Sequence, residues 1–505
     1  MENINQIKDG ITENNSSKFN NRFRNMNIKE KILKFKNAIT IEPLICVLVA
    51  AKVMCAPALT NLHFEKACKV NAGFNDTVCE AIVSGTYLQM NFKEENNVVQ
   101  SYLTGMRSWE VPVSSVVPVI IILFVGAYSD RHKIRKPFLL MPLLGDMVGL
   151  VGTVVNIIYM KQWNLEMQVI AGQVIPSIFG SDKLIITMCF AYIADISTNE
   201  MRLLRMSVIP ILLSVLIPVF HAISGIMFRA LGYFPIIGIS LTLFVFTFVY
   251  GIVSVKEPVK IKHDKRLLIK DIANVQHVTD TFKFLVQKKE NASRTNFITL
   301  LFICFILTTV QSGETSAFFL FTQQAYQWTV VDFSYFNTVG AVTKFIGLTV
   351  AVPIFAKVIK LNEIMIIIVA HIDAILVSII FVVVQSPLGL YVGRACSVLV
   401  SAAHPANRSL LTKAVSPDDM AKASSLTTIV GAIAAAISAQ IYHQGIYEHT
   451  RRTFPQAFLL LGIGLHMIVI TILIWMYMRE KRKHELSDKP RQEFVTDNVI
   501  ENSEM

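Results

Sequence analysis

The chain has 505 residues, 53% of them hydrophobic and only 16% charged, with a formal net charge of +11 at pH 7. Soluble domains carry roughly 25% charged residues, so this composition excludes a water-soluble globular protein. The apolar runs are continuous and of bilayer length, about 20 residues each, which excludes the short alternating strands of a membrane β-barrel. The surplus bases sit in loops and tails and make no nucleic-acid surface.

Residues 1–40 are polar and Asn-rich, end in Lys29, Lys31, Lys34 and Lys36, and lack the apolar core of a cleavable signal peptide. They read as a disordered cytoplasmic tail, and 480–505 reads the same way. Between them hydropathy predicts twelve spans, at 41–62, 102–128, 138–160, 168–193, 203–228, 234–255, 297–322, 333–358, 364–384, 388–411, 423–442 and 454–477. The cytoplasmic loop 257–294, with Lys260, Lys262, Lys265, Arg266, Lys270, Lys288 and Lys289, divides them into halves 41–256 and 295–479. The expected fold class is an all-α membrane protein, twelve transmembrane helices in two six-helix halves.

Bases gather in alternate loops: Arg131, Lys133, Arg135 and Lys136 after span two, Arg202 and Arg205 after span four, Lys357 and Lys360 after span eight, Lys413 and Lys422 after span ten. Lys and Arg concentrate on the cytoplasmic side, so both termini are expected there, in a plasma or endolysosomal membrane. The segment 63–97 falls on the opposite side. It holds Cys68 and Cys79, expected to pair in an oxidising compartment, and the sequon Asn75-Asp76-Thr77, expected to carry a glycan. Cys46, Cys55, Cys189, Cys304 and Cys396 fall within spans and read as small apolar residues.

An ionisable side chain near mid-bilayer costs at least ~2.5 kcal/mol, so each one is a candidate for function. Lys52 lies midway along span one. Arg107 and Glu110 are three apart in span two and can pair locally. Asp182 and Lys183 are adjacent in span four and point in different directions. Glu314 stands in Gln311-Ser312-Gly313-Glu314-Thr315 of span seven, where the glycine is expected to allow a break and cavity access. Lys344 of span eight is either its partner or an anion contact. Arg394 and Arg408 lie in span ten; His371 and Asp373 of span nine read as structural. The bases Lys52, Lys344, Arg394 and Arg408 point to an anionic solute. There is no P-loop, no His-Glu-x-x-His and no Gly-x-Ser-x-Gly. His63, His221, His404, His443 and His466 lack metal-ligand spacing. No metal site, cofactor or enzymatic activity is expected.

The run Gly126-Ala-Tyr-Ser-Asp130-Arg131-His132-Lys133-Ile134-Arg135-Lys136-Pro137 packs five bases, counting His132, and one acid between two apolar spans. It resembles the signature between helices two and three of the major facilitator superfamily. Gly126, Asp130, Arg131 and Arg135 match; Lys133 and Ile134 replace its glycine and an arginine. Three further stretches narrow the resemblance: Glu42-Pro43-Leu44; Ala194-Asp195-Ile196-Ser197 followed by Arg202-Leu-Leu-Arg205-Met206; and Pro405-Ala406-Asn407-Arg408 running to Lys413. These are similar to the proton-coupled folate transporter family, which includes the thymic stromal cotransporter and its lysosomal relatives.

The resemblance implies a monomeric secondary active transporter working by alternating access, with a small organic solute and a proton as the candidate coupling ion. It implies that Asp130, Arg131, Arg135, Asp195, Arg202 and Arg205 are charges of a cytoplasmic gate, and it weights Arg408 toward the solute. Two positions depart from the family. Pro210 replaces a glutamate and Gln311 a histidine, both tied to proton coupling. Glu314, one turn from Gln311, is the expected replacement. The alternative reading is a non-transporting receptor or scaffold derived from a transporter.

Overall fold

The structure, a computed structural model, describes residues 40–197, 199–257, 293–351, 353–359, 361–415 and 420–501. The tail 1–39 and most of the central loop, 258–292, lie outside the described residues, as does Lys360. Every regular element among the described residues is helical.

In chain order the helical passages are α1 (Glu42–Lys66, prolonged by a π-helical turn Ala67–Asn71), α2 (Lys93–His132), α3 (Lys136–Ile158), α4 (Leu165–Ile196), α5 (Asn199–Leu231) and α6 (Tyr233–Ser254). The second half holds α7 (Ser293–Tyr326), α8 (Val330–Ile346, with π-helical pieces Gly347–Ala351 and Ile354–Val358), α9 (Glu363–Val383), α10 (Pro387–Cys396 and Ala403–Lys413), α11 (Met420–Ala439 and its π-helical continuation Gln440–Tyr447) and α12 (Ala457–Glu501). Ten of these passages are long and apolar enough to cross a membrane. The other two, α8 and α10, are interrupted helices. The molecule is an integral membrane protein.

Local chemistry sets several starts. The Glu42 carboxylate accepts from the backbone N–H of Thr40 (2.8 Å) and Ile41 (3.0 Å), and Pro43 follows where a missing N–H costs nothing. The Glu-Pro-Leu run is thus a helix start. Thr329 and Asp332 form a capping box at α8, and Asn362 caps α9. The basic turn after α2 closes with Lys133 in the left-handed conformation, φ 55°, at the position where the superfamily signature has glycine.

The break in α10 frees backbone donors that must be met inside the bilayer. Asp373 of α9 meets two of them, accepting from Leu399 N (2.9 Å) and Val400 N (3.1 Å). His371 stands nearby with Nδ1 2.7 Å from Nδ1 of His466, tying α9 to α12. In α4 the break falls at Gly180 (φ 93°) and Ser181 (φ 50°). Gly145, Gly149 and Gly152 form one face of α3 that lies tight against Phe179, Pro176 and Ala171 of α4, with no room for a Cβ.

The two halves meet along α2–α11 and α5–α8, equivalent pairs in a six-plus-six arrangement. Each half has its own apolar core, and a third cluster near the Cys68–Cys79 loop joins them. Some boundaries differ from the sequence expectation. The first helix continues to Asn71, α2 already begins at Lys93, and a short helix, Asp76–Ser84, stands inside the loop. The last helix continues to Glu501, where the sequence reads as a tail. Hydropathy marks where a chain enters lipid, whereas a helix ends where its backbone bonds stop.

Candidate functional site

The second half gathers most of the solute candidates. Lys344 on α8 and Arg408 on α10 are exposed, and neither has a hydrogen bond or ion pair among the described residues. Arg394 is half-buried: its guanidinium carbon sits 5.2 Å from the Phe336 ring centre, its Nε has no hydrogen-bond partner, and it lies against Gly340, where no Cβ would fit. Two neighbouring glycine contacts on α8, Gly340 with Arg394 and Gly347 with Val398 and Ser401, bring the two interrupted helices together.

Glu314 is half-buried, with Oε1 lodged against Gly462 of α12 and lacking a hydrogen-bond partner. The expected break at Gly313 is absent: α7 is continuous, and the glycine instead admits the ring of Tyr442 from α11. No ion pair joins Glu314 to Lys344 or to another cation among the described residues. Gln311 is exposed, one turn earlier on the same helix.

The first half corrects the reading of Lys52. Its ammonium is not a free anion contact. It lies 2.9 Å from Asp146 Oδ2 of α3, donates to Asp146 Oδ1 (3.1 Å), and pairs with Asp182 of α4. Asp146 escaped the sequence reading. The signal for it was an acid directly after Gly145 in an apolar run, the same pairing that singles out Glu314. Lys183 turns away from this group and donates to Ser115 O of α2 (3.0 Å). Arg107 and Glu110 pair locally at 3.0 Å.

The side on which α1 begins and α12 runs out holds the second charge set. Arg135 donates through Nε to Asp195 Oδ2 (2.7 Å) and through a terminal nitrogen to Ser129 Oγ (2.8 Å); Lys133 lies 3.6 Å from Asp195. Glu257 at the end of α6 accepts from Arg135 N and Lys136 N, both at 3.0 Å, and so caps α3. Arg205 reaches Thr40 Oγ1 at 3.2 Å. These bonds tie the α2–α3 turn to the end of α4 and to the segment after α6, and α5 to the start of α1, within one half. Arg131 also takes part in interactions at this face. The side chains of Asp130 and Arg202 lie outside the described residues.

The opposite side is closed by contacts between the halves. Cys68 and Cys79 are bonded, with Cα atoms 5.7 Å apart. The disulfide anchors the loop helix Asp76–Ser84, whose following turn brings Gly85 onto Gln327 O and Tyr87 onto the end of α7. The Tyr87 hydroxyl donates to Gln323 O (2.9 Å) and Gln324 O (3.1 Å). Asn96 and Gln100 of α2 bond the side chains of Gln324 and Gln323 at 2.9 and 2.5 Å, and Arg451 donates to Asn97 O at 2.6 Å. Phe64 of α1 meets Phe319 of α7 edge-on, centroids 5.5 Å apart. At the loop's exposed edge, the hydrogen bond and then the charge of Lys69 hold the Asp76 carboxyl below its ordinary range. Asn75 caps the loop helix through its side-chain oxygen, and the residue is exposed. A cavity of about 580 Å³ opens on this side between α2 and α11, lined by Trp109, Glu448 and Arg451, apart from Lys344 and Arg408.

The comparisons agree with this architecture. The chain is 23% identical over 442 residues to a Drosophila melanogaster protein named a probable peptidoglycan muropeptide transporter, SLC46, covering 85% of this chain and 84% of the relative. It is 22% identical over 454 residues to the Gallus gallus lysosomal proton-coupled steroid conjugate and bile acid symporter SLC46A3, covering 87% and 94%. Among solved structures, the human organic anion transporter MFSD10 (TETRAN) superposes with a TM-score of 0.58 at 13% identity, covering 86% of this chain and 98% of that one. The nucleoside transporter NupG gives 0.56 at 12%, covering 86% and 100%. These relatives are transporters rather than enzymes. A family model described as Major Facilitator Superfamily matches residues 101–439, most of the membrane region, and the chain belongs to that superfamily as a secondary active transporter.

Proposed function

We propose that the protein carries a small organic anion across an endolysosomal or plasma membrane by alternating access, coupled to protons through Glu314. The observation that carries the reading is the charge imbalance of the second half. Within α7 to α10, Lys344, Arg394 and Arg408 stand near two intramembrane acids, Glu314 and Asp373; Asp373 is taken up by Leu399 N and Val400 N, and Lys344 and Arg408 are exposed without ion-pair partners among the described residues. Unpaired cations within the helical bundle suit an anionic group. Arg394 has an aromatic face beneath it, which suits a solute with an apolar body. The relatives named above handle muropeptides, and steroid conjugates and bile acids, which supports a bulky organic solute.

In this reading the contacts near the disulfide are the closed external gate. The Arg135–Asp195 face is the cytoplasmic gate, and Asp130, Arg131, Arg202 and Arg205 belong to it. Both termini are cytoplasmic, Asn75 carries the glycan, and the functional unit is a monomer. Gln311 lines the passage beside Glu314.

The test is uptake by purified protein in proteoliposomes over folates, haem, cyclic dinucleotides, peptidoglycan fragments, steroid sulfates and bile acids, with and without an imposed pH gradient. Accumulation of at least one anion that rises with the gradient is expected. Uptake confined to neutral or cationic solutes would overturn the anion assignment.

A further inference from the structure

The cavity of about 580 Å³ beside α2 takes its walls from both halves: α2 and the start of α4 from the first, the end of α11 and the turn after it from the second. It runs along α2 from Asn97 to Trp109, twelve residues, about 18 Å at the α-helical rise. One leaflet of a bilayer is nearly as deep, half of the ~30 Å of hydrocarbon. The two ends differ in chemistry. The mouth holds Glu166, Glu448, Arg451 and Arg452, and the deep end holds Gly105, Met106 and Trp109. At the deep end Gln440, where α11 turns π-helical, donates to Ser108 O at 2.7 Å. Such π-helical turns recur at functional sites. Gly105 borders open space, with no atom within 4 Å of where a Cβ would stand. The rim is apolar, since Val98 and Tyr102 of α2 and Met167 and Ile170 of α4 are all exposed.

The charges at the mouth balance in number but are not used up. Arg451, buried at 5% exposure, donates to Asn97 O and to Glu448 Oε1, which also accepts from Ser101 Oγ at 2.9 Å. Arg451 Nε and Glu448 Oε2 are left without partners. Buried polar atoms are nearly always paired, so this end holds a donor and an acceptor in reserve. Glu166 is met by the Asn71 amide, at 3.0 and 3.1 Å, and pairs with no cation among the described residues. Arg452 is 62% exposed and stands 3.6 Å from Glu94, a loose surface pair that opens at little cost. An available carboxylate and an available guanidinium thus line one mouth, above an apolar and aromatic floor. We propose that the cavity binds one zwitterionic phospholipid, with its ammonium at Glu166, its phosphate at Arg452 and one acyl chain along Gly105, Met106 and Trp109. An anionic headgroup would leave Glu166 unmatched. A cationic one would leave Arg452 with Glu94 alone, and a soluble zwitterion would leave the deep end unfilled. The bound lipid joins α2 and α4 of one half to the turn after α11 in the other.

The site stands apart from Glu314, Lys344 and Arg408, so its test needs no solute and holds whatever the protein carries. The full chain in detergent is titrated with phosphatidylcholine, phosphatidylglycerol or free phosphocholine and read by native mass spectrometry and by thermal unfolding. One retained phosphatidylcholine per chain is expected, with a melting temperature that rises as it is added, because a ligand of the folded state stabilises it. Gly105→Trp fills the open space at the deep end and should lower retention several-fold and abolish the rise. Gly105→Ala adds a single methyl at the same place and should keep both, which separates a filled cavity from a damaged fold. Glu166→Gln removes the ammonium contact and should turn the preference from phosphatidylcholine toward phosphatidylglycerol. Equal retention by Gly105→Trp and the wild type would place the lipid elsewhere on the surface and overturn the site. Equal retention of the two lipids by the wild type would overturn the headgroup assignment. Stabilisation by phosphocholine as large as that by the lipid would overturn the acyl chain in favour of a soluble zwitterion.

Discussion

Glu314 illustrates how a single acid is kept usable inside an apolar helix. Its Oε1 rests on the bare Cα of Gly462 and finds no donor there, so the carboxyl is neither tied up by a hydrogen bond nor consumed in a close ion pair. The proposal that it carries the proton predicts a separation of two activities. Glu314→Gln mimics the protonated acid and should keep solute exchange across proteoliposome membranes while abolishing accumulation driven by a pH gradient. Accumulation by the variant on an imposed gradient would exclude Glu314 as the coupling group. The glycines beside it predict a second contrast. Gly313→Ala would push a methyl into the fully buried Tyr442 ring, and overpacking of that kind costs about 1–3 kcal/mol, read as a lower melting temperature. Gly462→Ala meets only the end of a flexible side chain. It should leave the melting temperature nearly unchanged but displace Glu314 and lower coupled uptake. The sequence showed that an acid beside a glycine in an apolar helix matters. It did not show that the glycine serves a neighbouring ring rather than a helix break, because the cause is a contact from a distant helix.

At the level of elements, the interruptions carry most of the new information. The hydropathy of spans eight and ten looks continuous, yet α8 turns π-helical from Gly347 and α10 opens between Cys396 and Val400. Discontinuous helices in corresponding surroundings mark binding sites in transporters, and Lys344 and Arg394 flank these two breaks. What breaks α10 is a set of tertiary contacts, Asp373 on its free N–H groups and Gly347 against Val398, which no local pattern announces. By contrast, the element order, the division into halves and the disulfide partners were legible, since each depends on hydropathy or on spacing along the chain. Lys52 was legible as a buried cation and misread as an open one, since Asp146 and Asp182 reach it from 94 and 130 residues away. The ion pair at the end of α4 supports a prediction at this scale. The Arg135 side chain is 4% exposed and Asp195 17%, so the pair is mostly shielded from solvent. Asp195→Asn keeps the shape and removes the charge. It should shift the two access states against each other by about 1 kcal/mol, a several-fold change in turnover with protein abundance and solute affinity nearly constant. Wild-type turnover in this variant would show that the pair is not part of a gate.

In the alternating-access reading proposed above, a latch that belongs to both halves holds the whole molecule in one access state. The disulfide fixes the loop helix to the end of α1, the loop turn then grips the end of α7 through Tyr87, and the amides Asn96 and Gln100 meet Gln323 and Gln324. Each of these bonds contributes a net ~0.5–1.5 kcal/mol, while a tenfold shift between two states needs only about 1.4 kcal/mol. The latch therefore has the right size to set the resting state without locking it. Gln323→Ala should raise the outward-open population roughly tenfold, read as faster reaction of an impermeant thiol reagent with Thr104→Cys, a fully buried position one turn inside Gln100. Cutting the disulfide works on the same latch from its other end. Cys68→Ser with Cys79→Ser leaves the bonds of Tyr87 and the amides in place but frees the chain that aims them. It should raise the labelling rate less than Gln323→Ala does, and the two effects should not add, because both act through the grip on α7. Additive effects would mean that the loop and the amide contacts close the mouth independently. Unchanged labelling in both variants would mean that the aromatic contact of Phe64 with Phe319 closes it alone.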